Sequence, residues 1–186
     1  LTEEYNGTSW TVGGTLSTAR IAPAGAGVQT AGLAFGGRAP GFTAVNSTEE
    51  YNGTSWTSGG NLGTARFVLG GEGTQTAGLA IGGETITTAT EEYNGTSWTA
   101  GGALAATVTQ LAGCGTQTSA LAFGGNSGAG ATNATESYNG TNWTAVNNLN
   151  TSKQQLAGAG ANNTAALAFG GGPGTSALTE TWNGTN

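Results

Sequence analysis

The hydrophobic positions of this chain fall in short clusters separated by Gly, Asn and Thr, and the clusters recur. The run Ala31-Gly32-Leu33-Ala34-Phe35 returns at 77–81, 119–123 and 165–169, each time followed by a Gly-Gly pair. Large side chains at alternate places over five residues, bounded by Gly, describe a strand and not a helix. A second cluster, Thr2-Glu3-Glu4-Tyr5-Asn6-Gly7-Thr8-Ser9-Trp10-Thr11, recurs at 48–57 and 90–99 and, slightly changed, at 135–144. A partial copy follows as Thr179-Glu180-Thr181-Trp182-Asn183-Gly184-Thr185. Tyr5, Tyr51, Tyr93 and Tyr138 are 46, 42 and 45 residues apart, and Trp182 takes the Tyr place 44 residues later.

Each period reads as four short strands. Strand a is the Ala/Gly stretch, for example Ile21 to Gly25, and a tight Gly-x-Gly turn such as Gly71-Glu72-Gly73 is expected after it. Strand b is the Ala-x-Leu-Ala-Phe run, and strand c holds Thr-Glu-Glu-Tyr. Asn-Gly then predicts a two-residue turn with positive φ at both residues, and strand d starts near the Trp. Four strands in about 45 residues predict an all-β fold, a β-propeller of four-stranded antiparallel blades. The prediction is one domain over 1–186, with repeats starting near 1, 47, 89 and 134 and a partial fifth from 178. Small residues suit strand a, innermost, where blades crowd the axis. The aromatics Tyr5, Trp10, Tyr51, Trp56, Tyr93, Trp98, Tyr138, Trp143 and Trp182 suit the space between blades, with Phe35, Ile81, Phe123 and Phe169 beside them.

A Gly-Gly pair closing strand b, then Tyr, Trp, Leu and Arg before the next strand, resembles the kelch repeat over the whole chain. Leu16 with Arg20 and Leu62 with Arg66 fit that pattern; Leu104 is followed by Val108, and Leu149 by Lys153. The resemblance implies mixed-terminus closure, in which the last a–b hairpin and the first c–d hairpin make a fourth blade and the copy from 178 is surplus. Three arrangements stay open: a closed four-bladed ring, a window on a longer array, and a homo-oligomer whose chains share blades. The repeats are also similar to Gly/Ala/Thr-rich kelch-like arrays of tailed phages and marine bacteria, which implies an extracellular or virion setting.

Composition narrows the function classes. Among 186 residues there are 36 Gly, 3 Pro, four cations and ten carboxylates, giving a net charge of −6. All the carboxylates are Glu; Asp and His are absent. That balance disfavours nucleic acid, which needs a basic stripe, and an anionic membrane surface. Without His the commonest general base and metal ligand is missing, so no cofactor is expected. WD-type blades, which need Trp-Asp and Gly-His, are excluded. No apolar run approaches the roughly 20 residues of a membrane span. Cys114, the single cysteine, excludes an internal disulfide framework and reads as a small filler, since no His or cation neighbours it. With no initiator Met and no visible signal peptide, the chain is expected to be processed, trimmed or part of something longer.

Strand alternation places the b–c and d–a loops on one side of the ring and the a–b and c–d turns on the other. All four cations fall towards the first side: Arg20, Arg66 and Lys153 at the entry to strand a, Arg38 in the longest b–c loop, which also carries Phe42. The kelch resemblance implies partner binding by Arg20 and Arg66. Arg20, Arg38, Phe42, Arg66 and Lys153 are therefore the candidate residues for a protein or glycan partner on this face. The competing reading pairs Arg20 and Arg66 with Glu3, Glu49 or Glu91 to hold blades together. Glu3, Glu49, Glu91, Glu136 and Glu180 share one repeat position; a Ca²⁺ ring is conceivable, and a solvated or Arg-paired structural role is preferred. Asn-Gly-Thr is formally a glycosylation acceptor, but a turn accounts for every copy. The function expected is a non-enzymatic structural or protein-interaction propeller. A lectin with one sugar site per blade, using Gln29, Gln75, Gln117 and Asn163 near the a–b turns, is the first alternative. A glycan-acting enzyme is the second; its carboxylates would stand in repeat register, whereas active sites break symmetry, and no catalytic residue is assigned.

Overall fold

Alternation of large and small side chains along each strand gives every sheet two unlike faces, and the chain stacks them face to face around an axis. The computed structural model describes residues 1–84 and 87–185. It opens with β1 (Glu3–Tyr5) and β2 (Trp10–Val12), a two-stranded sheet. β3 (Ala24–Val28) and β4 (Ala31–Phe35) follow, then a small hairpin of β5 (Arg38–Ala39) and β6 (Thr43–Ala44), then β7 (Thr48–Tyr51) and β8 (Trp56–Ser58). β3-β4-β7-β8 form blade 1. Blade 2 is β9 (Gly70–Thr74), β10 (Ala77–Ile81), β11 (Thr90–Tyr93) and β12 (Trp98–Ala100). Blade 3 is β13 (Ala112–Thr116), β14 (Ser119–Phe123), β15 (Thr135–Tyr138) and β16 (Trp143–Ala145). Blade 4 has three strands, β17 (Ala157–Asn162), β18 (Ala165–Phe169) and β19 (Thr179–Trp182). All neighbours are antiparallel. The four blades stand in a ring as a four-bladed β-propeller, the all-β fold that the repeat period predicts.

The core lies between blades. Leu33 and Phe35 of blade 1 pack on Leu62, Leu69, Ala80 and Tyr93, with Trp98 against them. Leu79 and Ile81 of blade 2 meet Leu104, Leu111, Ala120, Ala122 and Tyr138 in the same way. Leu121 and Phe123 of blade 3 meet Leu156, Ala166, Ala168 and Trp182. The residue between the large pair points the other way, so Ala80 and Ala122 form the flat floor on which the preceding blade rests. The ring of Phe35 lies 4.8 Å from Trp98, which in turn lies 4.9 Å from Tyr93. These clusters carry most of the apolar burial, worth about 25 cal/mol per Å² removed from water.

Polar bonds repeat with the same period. The tyrosine of one blade donates its hydroxyl proton to a glutamate of the preceding strand c: Tyr51 to Glu4, Tyr93 to Glu50, and Tyr138 to Glu92 at 2.6 Å. Burial, reinforced by that glutamate, pushes the hydroxyls of Tyr93 and Tyr138 up to about 12. The indole N–H groups of Trp56, Trp98 and Trp143 donate to Thr2, Thr48 and Thr90 of the preceding blade at 2.8, 2.9 and 2.8 Å. Ahead of strand a, Ala22, Val68, Gln110 and Gln155 all hold a left-handed backbone, with φ of 50, 54, 57 and 55°. This region is unfavourable for residues with a side chain, most of all the β-branched Val68. Three backbone hydrogen bonds tie these four together across the blades: the N–H groups of Val68, Gln110 and Gln155 donate to the carbonyls of Ala22, Val68 and Gln110 at 3.1, 3.1 and 2.9 Å.

Three local expectations are corrected. The Gly-x-Gly triplets do not turn; they belong to strand a, and the two-residue turn falls on Gln-Thr at 29–30, 75–76 and 117–118. A Cβ at Gly73 (φ 95°) would lie 2.1 Å from the Ala77 carbonyl oxygen, which explains the glycine inside the strand. The Asn-Gly connection is a four-residue loop, since Tyr51 pairs with Trp56. Asn52 closes it by accepting the N–H groups of Thr54 and Ser55 at 3.0 and 2.9 Å, and Gly53 alone takes positive φ. Mixed-terminus closure is also not what the strands do. β18 pairs with β19, the nearest strand c in sequence, so β1–β2 stands as its own sheet beside blade 1.

Candidate functional site

The cations sort into two kinds. Arg20 reaches Glu49 at 2.7 Å and donates to the carbonyls of Gly36 and Ser47. Arg66 reaches Glu91 at 2.9 Å and donates to the carbonyls of Gly82 and Ala89; its side chain is 0% exposed. Lys153 lies 3.1 Å from Glu180 and is buried. Each of these cations neutralises the strand-c glutamate of its own repeat, and the two arginines also gather the b–c connection around them. The charged ends of Arg20 and Arg66 are thus buried in pairs with Glu49 and Glu91, the pairing that the competing reading of these two residues expects. Repeat 3 has Val108 in that place, and burial raises the Glu136 carboxyl there, opposed by the N–H of Ala105.

Arg38 and Phe42 behave differently. The b–c connection of blade 1 is long enough to form the β5–β6 hairpin, which pairs Arg38 with Ala44 and Ala39 with Thr43. Phe42 sits at its tip with φ 64°, its N–H donating to the Ala39 carbonyl at 3.1 Å, and its side chain is 72% exposed. The Arg38 guanidinium lies 4.9 Å from the centre of the Phe42 ring and 4.3 Å from that of Phe67. Such stacking orders an otherwise mobile side chain for about 0.5–1 kcal/mol at an exposed site. Exposed Ile21 and Pro40 continue the apolar surface around a hollow of about 280 Å³. This hairpin breaks the repeat symmetry, as a functional site is expected to.

The opposite side is quieter. The Gln75 amide donates to the carbonyls of Gly32 and Tyr51 in blade 1, and Gln117 to those of Gly78 and Tyr93 in blade 2. Asn163 does the same for blade 3 through Tyr138 and Ser137. The polar groups considered for a sugar site thus clamp one blade to the next. Gln29, at the start of the series, donates to Glu4 at 3.5 Å. In the central shaft, lined otherwise by Gly and Ala, Glu72 stands beside Cys114. Burial raises the Glu72 carboxyl to about 8; burial and then the nearby Glu72 push the Cys114 thiol up to about 12. Cys114 is a buried filler. Among the described residues no group of three His, Cys, Asp or Glu is placed to hold a metal ion.

The sequence pointed to Arg38 and Phe42 through loop length and composition. It did not disclose the glutamine clamps, because their register only becomes visible once the turn is placed on Gln-Thr. Compared with known proteins, the chain matches no family model and no curated sequence.

Proposed function

We propose that this chain is a kelch-like, non-enzymatic propeller that works as a structural or protein-interaction scaffold in an extracellular or virion setting. The observation that carries the reading is the Arg38–Phe42 hairpin: an exposed aromatic tip stiffened by a stacked arginine, mounted on a ring whose other cations are buried. Aromatic and arginine side chains of this kind are the usual anchors of protein interfaces, and propeller loops are carried by a scaffold that need not move. The scarcity of charge and the abundance of Gly, Thr and Asn support a surface or virion role. The lectin alternative is disfavoured because Gln75, Gln117 and Asn163 are engaged between blades, and the glycan-acting enzyme because the carboxylates of Glu49, Glu91 and Glu180 are held in ion pairs and those of Glu4, Glu50, Glu92 and Glu136 in repeat-register hydrogen bonds.

Binding partners recovered by crosslinking in the native setting test this directly. They are expected to be proteins crosslinked at the β5–β6 hairpin, lost on Phe42→Ser or Arg38→Glu and retained on Thr118→Ala. Binding that survives both hairpin substitutions, or saturable binding of simple glycans, would overturn it.

A further inference from the structure

The repeats serve as controls for one another, and they differ at one buried charge. In repeat 1 the Arg20 guanidinium donates to the carbonyls of Gly36 and Ser47 and to Glu49. In repeat 2 Arg66 donates in the same way to the carbonyls of Gly82 and Ala89 and to Glu91. The second oxygen of each glutamate accepts a backbone N–H from the d–a connection, Ser17 to Glu49 and Gly63 to Glu91, both at 2.7 Å. Three acceptors, two carbonyls and a carboxylate, thus surround each guanidinium.

Repeat 3 keeps all three acceptors and replaces the cation. Gly124, Ala134 and Glu136 stand where Gly82, Ala89 and Glu91 stand, and Val108 takes the place of Arg66. The backbone around them is unchanged. Gly124 has φ 64°, as Gly36 has, and its N–H donates to the Ala134 carbonyl at 2.9 Å, as that of Gly82 does to Ala89 at 3.0 Å. Val108 is too short to fill the space, and these four residues line a cavity of about 50 Å³. That is several times the roughly 10–15 Å³ that one water needs. Among the described residues the Glu136 carboxylate accepts only the Ala105 N–H, shared between its two oxygens at 3.3 and 3.0 Å. Gly124 is buried, and nothing among the described residues donates to its carbonyl. Buried acceptors without donors are rare in folded proteins and mark places where a further group binds.

We propose that repeat 3 binds a guanidinium group from outside the chain, carried by an arginine side chain of a partner or by free arginine. The exposed residues of the cavity wall, Ala106, Ser127 and Ala134, open it to solvent on the b–c/d–a side. The incoming group sets one edge against Glu136 and donates to the carbonyls of Gly124 and Ala134, as Arg66 does one repeat earlier. Its donors lie in one plane and point in several directions, so one guanidinium serves all three acceptors. An ammonium fits less well: Lys153, at the same place in repeat 4, reaches Glu180 and no carbonyl. A cationic ligand also suits a chain of net charge −6. The site is separate from the Arg38–Phe42 hairpin and does not depend on binding there.

The test titrates the isotope-labelled full chain with acetyl-arginine methylamide and follows the N–H signals of Ala105 and Ala134 by NMR. Both are expected to shift and saturate. The neutral isostere acetyl-citrulline methylamide is expected to bind at least about tenfold more weakly, because it leaves the carboxylate without a counter-charge. Free L-arginine is titrated in parallel; whichever of the two arginine compounds binds more tightly names the source of the group, and both support the site. Glu136→Gln is expected to abolish the shift. Val108→Arg supplies the chain's own guanidinium, and is expected to raise the urea midpoint and to block the titration. If Val108→Arg does not fold, Glu136→Gln decides alone. The proposal is overturned by the absence of a saturable shift, by an equal response to the citrulline compound, or by a shift that persists in either folded variant.

Discussion

The interface between blades 2 and 3 and the seam between blades 4 and 1 are built from nearly the same letters. In the first, Leu79 and Ile81 are sealed at 0% exposure against Tyr138. In the second, Leu167 and Phe169 carry equivalent side chains and remain open to water. The difference is not one of hydrophobicity or of strand propensity. It lies in what packs against the face: blade 3 covers Leu79 and Ile81, whereas among the described residues no following blade covers Leu167 and Phe169. The lesson is that burial in a repeat protein belongs to the pair of neighbours and not to the repeat itself.

The largest expected effect that would sharpen this contrast comes from the same substitution at both places. Phe35→Ala should cost about 3–5 kcal/mol, as removal of a fully buried ring does. Phe169→Ala should cost the isolated chain less than about 1 kcal/mol. Urea titrations of both variants at low concentration check this; equal losses would show that the seam is sealed in the single chain.

A pH series separates shaft from seam next. The folded protein holds the Glu72 proton up to about pH 8, whereas the unfolded chain loses it near the usual 4.5. Between those values the native state binds more protons, so stability falls as pH rises through that window and levels off above it. Glu72→Gln should flatten that slope; urea midpoints at pH 5, 7 and 9 measure it, and an unchanged slope would assign the pH dependence elsewhere.

Smaller still is the removal of one hydroxyl. Tyr93→Phe breaks a bond to Glu50 across an internal interface and should cost about 1–2 kcal/mol. Tyr5→Phe, at the open end, should change stability by less than about 0.5 kcal/mol. The smallest difference between the two places is expected at the c–d loop. Asn52→Ala and Asn6→Ala should each cost about 0.5–1.5 kcal/mol, and by the same amount, because the asparagine closes its loop locally in both. A marked difference between them, read from thermal unfolding, would mean that the loops feel the seam.

The period, the four strands per repeat and the inter-blade aromatics were legible in the sequence, because each repeats a pattern of alternating size. Arg20 and Arg66 were legible as glutamate partners, since Glu49 and Glu91 recur at a fixed spacing. The Gly-x-Gly triplets misled because glycine is read as a turn former, whereas Gly27 and Gly73 serve a close approach of strand b to strand a. Asn-Gly misled likewise; the asparagine side chain, not its backbone, makes the loop. The choice between β1 and β19 could not be read at all. Their sequences are near-equivalent, and the shorter connection, from Phe169 to Thr179, favours β19 through its smaller closure entropy. Lys153 and Gln117 likewise acquire their roles only from their tertiary partners, Glu180 for the first and the carbonyls of Gly78 and Tyr93 for the second.

The left-handed belt of Ala22, Val68, Gln110 and Gln155 has a consequence for how the ring comes apart. Val68, Gln110 and Gln155 each donate to the strained residue before them, so an unfavourable angle is compensated only while the neighbour is in place. A stacked array without such ties frays blade by blade from its ends. Here the loss of one blade hands its strain to the next, and adjacent blades are expected to open together. Amide exchange at Val68 and Gln110 should therefore report one shared opening event, with the ring melting as a cooperative unit rather than as a row of separate sheets.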